Sequence, residues 1–226
     1  VWYQRAVRLC AVAVAMCIAA APVIAACGEQ APPAASSAPR PTSARGPVDP
    51  ARIDRVRYDL PPGYEVSGLD GRVDPVSQWG FGAGWGAAPP ECGQAALGAV
   101  DPASARGWTA SGPGGIVYAV VADVTAPIQD AECGVWTVTG GHSTATVTRL
   151  DAPAIDGART AGMSATIVTV VEGGTETQSR ADTFAAESEH HRCAVTVITD
   201  PGSPNPALDA GFAAALLVKT VSALRG

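Results

Sequence analysis

The run Ser188-Glu189-His190-His191-Arg192-Cys193 gathers two histidines, a carboxylate and a thiol, the residue types from which metal ligands and catalytic nucleophiles are drawn. In a strand, neighbouring side chains point to opposite faces. His190 and His191 therefore cannot serve one metal, whereas Glu189, His191 and Cys193 would share a face. A carboxylate, an imidazole and a thiol could hold zinc, but that face runs on into Val195 and Val197, and the only other histidine in the chain is His142. The run reads as the polar end of a hairpin, Glu187 to Arg192, with Cys193 as the first buried residue. No metal site and no cofactor are expected.

A second run, Gly141-His142-Ser143-Thr144-Ala145, approximates the nucleophile elbow G-x-S-x-G, with acidic residues and then His190 following in the order that hydrolases use. Ala145 stands where the last glycine belongs, and the letters after Ser143 alternate like a strand where an elbow needs a helix. A Gly-Gly turn entering a strand accounts for the same residues. An envelope hydrolase using Ser143 with His190 or His191 is thus an alternative function and not the leading one. The third candidate is the glycine-rich stretch from Gln78 to Pro90, which carries Trp79, Phe81 and Trp85. It lacks the strand-to-helix context of a dinucleotide fingerprint. Large rings on such a backbone need cover, either from the core or from a ligand in a groove.

The elements that must position these residues are mostly strands. Segments 116–124, 134–139, 143–150, 164–173, 175–187 and 193–199 are mostly rich in Val, Ile and Thr, and Gly140-Gly141 and Gly173-Gly174 sit where hairpins would turn. Such short connections require antiparallel neighbours, so a meander is expected. Asp49-Pro50 and Asn205-Pro206 both read as a cap followed by a first-turn proline. They predict a short helix at the N-terminal end and a long C-terminal helix, apolar on nearly every side and so buried on more than one. A short helix is also expected after Pro89-Pro90, and a helical turn between Leu150 and Met163. The expected fold class is α+β: an antiparallel sheet meander packed with a long C-terminal helix and short N-terminal helices.

The first 26 residues have another purpose. Arg5 and Arg8 precede an uncharged run from Leu9 to Ala26 that ends in small residues, the layout of a secretory signal. Ile24-Ala25-Ala26-Cys27 resembles the bacterial lipobox, which implies cleavage before Cys27, diacylation of its sulfur, and anchorage on the extracytoplasmic face of the cell membrane. Residues 27–48, rich in Pro, Ala and Ser, read as a tether, and residues 49–226 as one domain. Without residues 1–26 the chain has 13 basic and 21 acidic side chains, a net charge of −8. That excess argues against nucleic acid and against anionic headgroups, neither of which finds a basic stripe. One lysine beside fourteen arginines, with abundant Ala, Gly and Pro, points to a GC-rich genome.

Cys10 and Cys17 leave with the signal and Cys27 goes to lipid, so Cys92, Cys133 and Cys193 remain for one disulfide. Cys92 with Cys133 is the favoured pair, since each lies at the start of an element beside a loop. Cys193 sits inside an apolar strand, where a lone cysteine behaves as a small hydrophobe.

Leu60-Pro61-Pro62-Gly63-Tyr64-Glu65-Val66, the Trp79-Gly80-Phe81 loop, and Cys92 after a proline pair with Cys133 following resemble an uncharacterised domain family of mycobacterial lipoproteins, over most of residues 53 to 222. More distantly the chain is similar to the extracellular sensor domain of a mycobacterial serine/threonine kinase. That second likeness implies an antiparallel sheet with helices around a cleft and two disulfides, of which only one can form here. Neither likeness supplies catalytic residues. The leading expectation is a lipid-anchored, non-catalytic binding or sensor-like module whose ligand is a lipid, a glycan or a protein. A purely structural envelope protein is a further alternative.

Overall fold

The computed structural model of the chain describes residues 46–129, 133–199 and 202–226. The expected signal segment, Cys27 and the tether as far as residue 45 lie outside the described residues.

Ten strands form one sheet: β1 (Glu65–Gly68), β2 (Gly86–Ala88), β3 (Ala99–Val100), β4 (Arg106–Gly112), β5 (Gly115–Ala126), β6 (Val135–Gly140), β7 (Ser143–Leu150), β8 (Arg159–Val170), β9 (Glu176–Ser188) and β10 (His191–Ile198). Their order is β1-β4-β5-β10-β9-β8-β7-β6-β2, with β3 paired to β5, and every pairing is antiparallel. The helical elements are α1 (Pro75–Gln78), α2 (Pro90–Leu97), α3 (Ala210–Arg225) and 3-10 helices at Pro50–Asp59 and Pro102–Ser104.

Alternation along the strands splits the apolar residues between the two faces. On one, Trp108, Val117, Val121, Phe184, Cys193 and Val195 pack against Leu216, Leu217 and Val221 of α3 and against Ile53 and Val56 of the first 3-10 helix. On the other, Trp136, Val138, Val147, Met163 and Ile167 pack against Val76, Trp79, Phe81 and Cys92 from the segment that precedes β3. The hairpin turns use the positive backbone angles that tight β connections demand: Gly141 lies at φ 57° between β6 and β7, and Glu189 at φ 54° between β9 and β10.

The fold is predominantly β, which corrects the expected α+β class with its long C-terminal helix. Two physical reasons account for the difference. The first is that β2, β3 and β4 arise outside the segments expected to be strands. In β4, Trp108 is fully buried and its Nε1 donates to the Ile53 carbonyl at 3.2 Å, so a tertiary contact sustains a strand that its two glycines would weaken. The second is that α3 starts later than Asn205-Pro206 suggests. Leu208 N donates to the Gly114 carbonyl (3.2 Å), and Asp209 is the real N-cap, accepting from Phe212 N at 2.8 Å. The expected helical turn between Leu150 and Met163 is absent: residues 151–158 are irregular and β8 begins at Arg159. Among the described residues no helix is long and apolar enough to cross a membrane.

Candidate functional site

The hairpin end that holds the histidines is built by β9 and β10. Glu189 and His190 form its turn, so Glu189 leaves the strand face it was expected to share with His191 and Cys193. His191 stands opposite Asp123 of β5, with Nε2 3.3 Å from Oδ1. Cys193 lies two residues on, 4% exposed, and burial pushes its thiol up to about 12. Among the described residues no three His, Cys, Asp or Glu side chains are placed to hold a metal.

Beside them the structure builds a pair that the sequence reading missed. Arg192 and Glu187 are cross-strand neighbours with side chains only 7% and 11% exposed. Glu187 Oε2 accepts from Arg192 Nη2 at 2.7 Å, from Arg192 Nε at 3.1 Å and from Ile128 N at 3.2 Å. Arg192 Nη2 also donates to the Ala126 carbonyl (2.9 Å), and Arg159 Nη1 to the Ile128 carbonyl (2.6 Å). This network clamps the connection that leaves β5. The signal for it was the Glu-Arg opposition across a two-residue turn; its burial depends on the connector folding over it.

Ser143 opens β7, where its Oγ lies 2.8 Å from Thr169 Oγ1 on β8. Thr169 in turn faces Thr177 on β9, while His191 faces Ser188 on the same strand. Eleven residues of β9 separate those positions, roughly 35 Å along a strand. Ser143 and His191 therefore cannot meet, and the same holds for His190 in the adjoining turn.

The aromatic loop folds inward. Trp79 and Phe81 are 5% and 4% exposed. Trp79 Nε1 donates to Thr183 Oγ1 at 3.2 Å, and Thr183 Oγ1 lies 2.9 Å from Thr196 Oγ1, so the indole is tied to the sheet through a buried hydroxyl pair. Trp85 is half-buried at the rim. A Cβ at Gly140 would lie 3.1 Å from Trp85 Cβ and 3.2 Å from a Phe81 ring carbon, so this glycine lets both rings approach the β6–β7 turn. Cys92 and Cys133 form the disulfide that ties α2 to the start of β6, and Cys193 remains a free thiol. Three cavities among the described residues measure about 10, 20 and 30 Å³, room for a water or two.

Among the described residues one large surface stays uncovered. On the α3 side of the sheet, beyond Phe184, the face of β6 to β9 presents Thr137, Thr146, Thr166 and Arg180 in one cross-strand row and Thr139, Thr144, Val168 and Gln178 in the next. A third row adds Thr148 and Ser164 between Val135 and Asp182, the last of which is buried. The grid spans roughly 14 by 13 Å between its outermost residues. Its two charges cancel, because Arg180 Nε lies 3.1 and 3.2 Å from the Asp182 carboxylate oxygens. Hydroxyls that both donate and accept therefore dominate a surface without net charge.

The family described as a domain of unknown function, DUF5642, matches residues 49–225. The X-ray structure of an uncharacterized protein from Mycobacterium smegmatis, the Rv0999 ortholog, is similar to this chain with a TM-score of 0.60 and 23% sequence identity, over 79% of this chain and 98% of that one. At that identity the likeness carries the fold alone. No curated protein matches the chain.

Proposed function

The chain belongs to the DUF5642 domain family, and we propose that it is a lipid-anchored, extracytoplasmic binding module that engages a neutral, hydroxyl-rich glycan through the uncovered face of β6 to β9 without catalysis. The anchor is Cys27, at the end of the apolar N-terminal run, and residues 27–48 are the tether. What carries the reading is the threonine grid. Strand faces exposed to water usually hold mixed charges, whereas here three adjoining rows offer mainly hydroxyls at the spacing of the strands themselves. A sugar polymer lying along them could exchange hydrogen bonds without desolvating a charge. None of the three cavities described above has room for a lipid, and the inward packing of Trp79 and Phe81 leaves only Trp85 of the aromatic groove open to a ligand.

The test is co-sedimentation of the lipidated protein, in detergent, with insoluble cell-wall glycan. Wild type should pellet, and Thr146→Lys with Thr166→Glu, an opposite-charge pair of cross-strand neighbours at the centre of the grid, should weaken binding at least tenfold with little change in the urea midpoint. Equal pelleting of the variant would remove this face from the function, and a wild type that never pellets would favour the structural envelope protein. Acylation is read separately, as the mass added at Cys27 and lost in Cys27→Ala.

A further inference from the structure

We propose that the cavity beside Trp136 and Met163 is a recognition pocket for the acetyl group of an acetylated sugar, with the Trp136 indole N–H donating to the acetyl carbonyl. The inference rests on the glycan reading above for the class of ligand, and goes beyond it in placing a second contact on the other face of the sheet. Among the described residues three indoles are buried: Trp79, Trp108 and Trp136. For two of them the fold supplies an acceptor at 3.2 Å, Thr183 Oγ1 for Trp79 and the Ile53 carbonyl for Trp108. Trp136 is 3% exposed, yet its buried Nε1 finds no acceptor among the described residues. A buried N–H left in that state is costly, and points to a partner that the domain itself does not supply.

That indole lines a cavity of about 20 Å³ together with Ile128, Ala161 and Met163. At roughly 10–15 Å³ for each water-sized group, the space suits one carbonyl oxygen and one methyl. The walls decide between acceptors. Among the described residues the lining's one charge, Arg149, is exposed and stands at the rim with Gln129, so an anion drawn inside would lie against apolar carbon and lose its hydration. An acetyl group instead brings a neutral oxygen for the indole and a methyl for Ile128, Ala161 and Met163. The amide of Gln129 and the guanidinium of Arg149 are then placed to meet ring hydroxyls outside the cavity.

The walls are fixed by their neighbours. Ile128 is held on both sides: its N–H donates to Glu187 Oε2 at 3.2 Å, and its carbonyl accepts from Arg159 Nη1 at 2.6 Å. Met163 faces Arg149 across the β7–β8 ladder, and Trp136 faces Val147 across β6 and β7. The buried Glu187-Arg192 pair thereby sets the position of one wall, a use for a charge pair that stability alone does not require.

The experiment follows the proton–nitrogen correlation signals of the indoles in the full chain in detergent, with that of Trp136 identified by its loss in Trp136→Phe. N-acetylglucosamine and an O-acetylated methyl glucoside are each titrated beside glucose. The acetyl sugars should shift the Trp136 signal saturably, at concentrations roughly tenfold or more below any effect of glucose, because the site is built to meet the group that glucose lacks. A response to either supports the pocket, and the tighter of the two tells an amide from an ester linkage. Ala161→Leu, which fills the cavity, should abolish the shift while the Trp79 and Trp108 signals stay in place. If that variant disturbs those two indoles, the comparison of sugars on the wild type decides alone. A Trp136 signal indifferent to both acetyl sugars at ~100 mM, or moved as far by glucose, would overturn the proposal and leave water as the acceptor. Pelleting on cell-wall glycan reads the threonine face and this signal reads the opposite one, so either reading can fail without the other.

Discussion

Glu187 and Arg192 face each other across the β9–β10 hairpin with Oε2 and Nη2 2.7 Å apart, both nearly out of solvent. Removing one member leaves the other charge buried without its counter-ion, which costs about 3–5 kcal/mol. Glu187→Ala and Arg192→Ala should each lower stability by that amount in urea denaturation. Glu187→Leu combined with Arg192→Met should cost less than either, because no charge is then stranded. If the double variant is the least stable of the three, the hydrogen bonds to Ala126 and Ile128 matter more than the charges.

The indole of Trp79 depends on one hydroxyl. Thr183→Val keeps the shape of the side chain but strips the acceptor from Trp79 Nε1 and the partner from Thr196, both in the buried layer. An unpaired buried N–H costs about 1–3 kcal/mol. The urea midpoint should fall accordingly, and Thr196→Val, which leaves the indole bonded, should cost less. Equal losses would mean that the two hydroxyls act as one unit.

The Cys92–Cys133 bond closes a separation of 41 residues. By loop entropy alone such a link restricts the unfolded chain by about 4 kcal/mol. Unfolding with and without reductant should differ by nearly that amount. Cys92→Ala with Cys133→Ala should match the reduced wild type and gain nothing from oxidation. A difference below about 1 kcal/mol would show that the segment from α2 to β6 is already ordered in the unfolded ensemble.

How far the sequence discloses this fold depends on where the information sits. β7 is bounded in the letters as it is in space, because Ser143–Leu150 alternates and a Gly-Gly turn precedes it. β4 is not legible, since Arg106–Gly112 has weak strand propensity and becomes a strand only by pairing with β5 and seating Trp108. Asp49-Pro50 announces a helix but not its pitch, so the alignment of Ile53 with Val56 three residues on, both buried against α3 and the sheet, is set by a 3-10 turn that the cap does not disclose. The buried Glu187-Arg192 pair fails for a similar reason: charges beside a hairpin turn are usually solvated, and these are covered only because the chain from Ala126 to Ile128 folds over them. The threonine grid is hidden differently. Each strand shows its own alternation, but the rows exist only once register is fixed across four strands.

Cys193 gives a pH dependence whose sign can be worked out. Burial raises its thiol from 9.0 to about 12 in the folded domain, so between those values the unfolded chain has lost a proton that the folded chain keeps. The unfolded state then binds fewer protons, and stability falls as pH rises, by at most roughly 1.4 kcal/mol per unit. Below pH 9 this contribution is fully present. Wild type and Cys193→Ala, compared by urea denaturation at pH 8, 9.5 and 10.5, should converge as pH rises, because the variant lacks the titrating group while sharing every other one. The native thiol should also resist a disulfide reagent at pH 8 and take up one equivalent after unfolding. Parallel pH profiles for the two proteins, or ready labelling of the native state, would mean that the β9–β10 hairpin opens often enough to wet Cys193, and would return His191 and its neighbours to consideration as a reactive site.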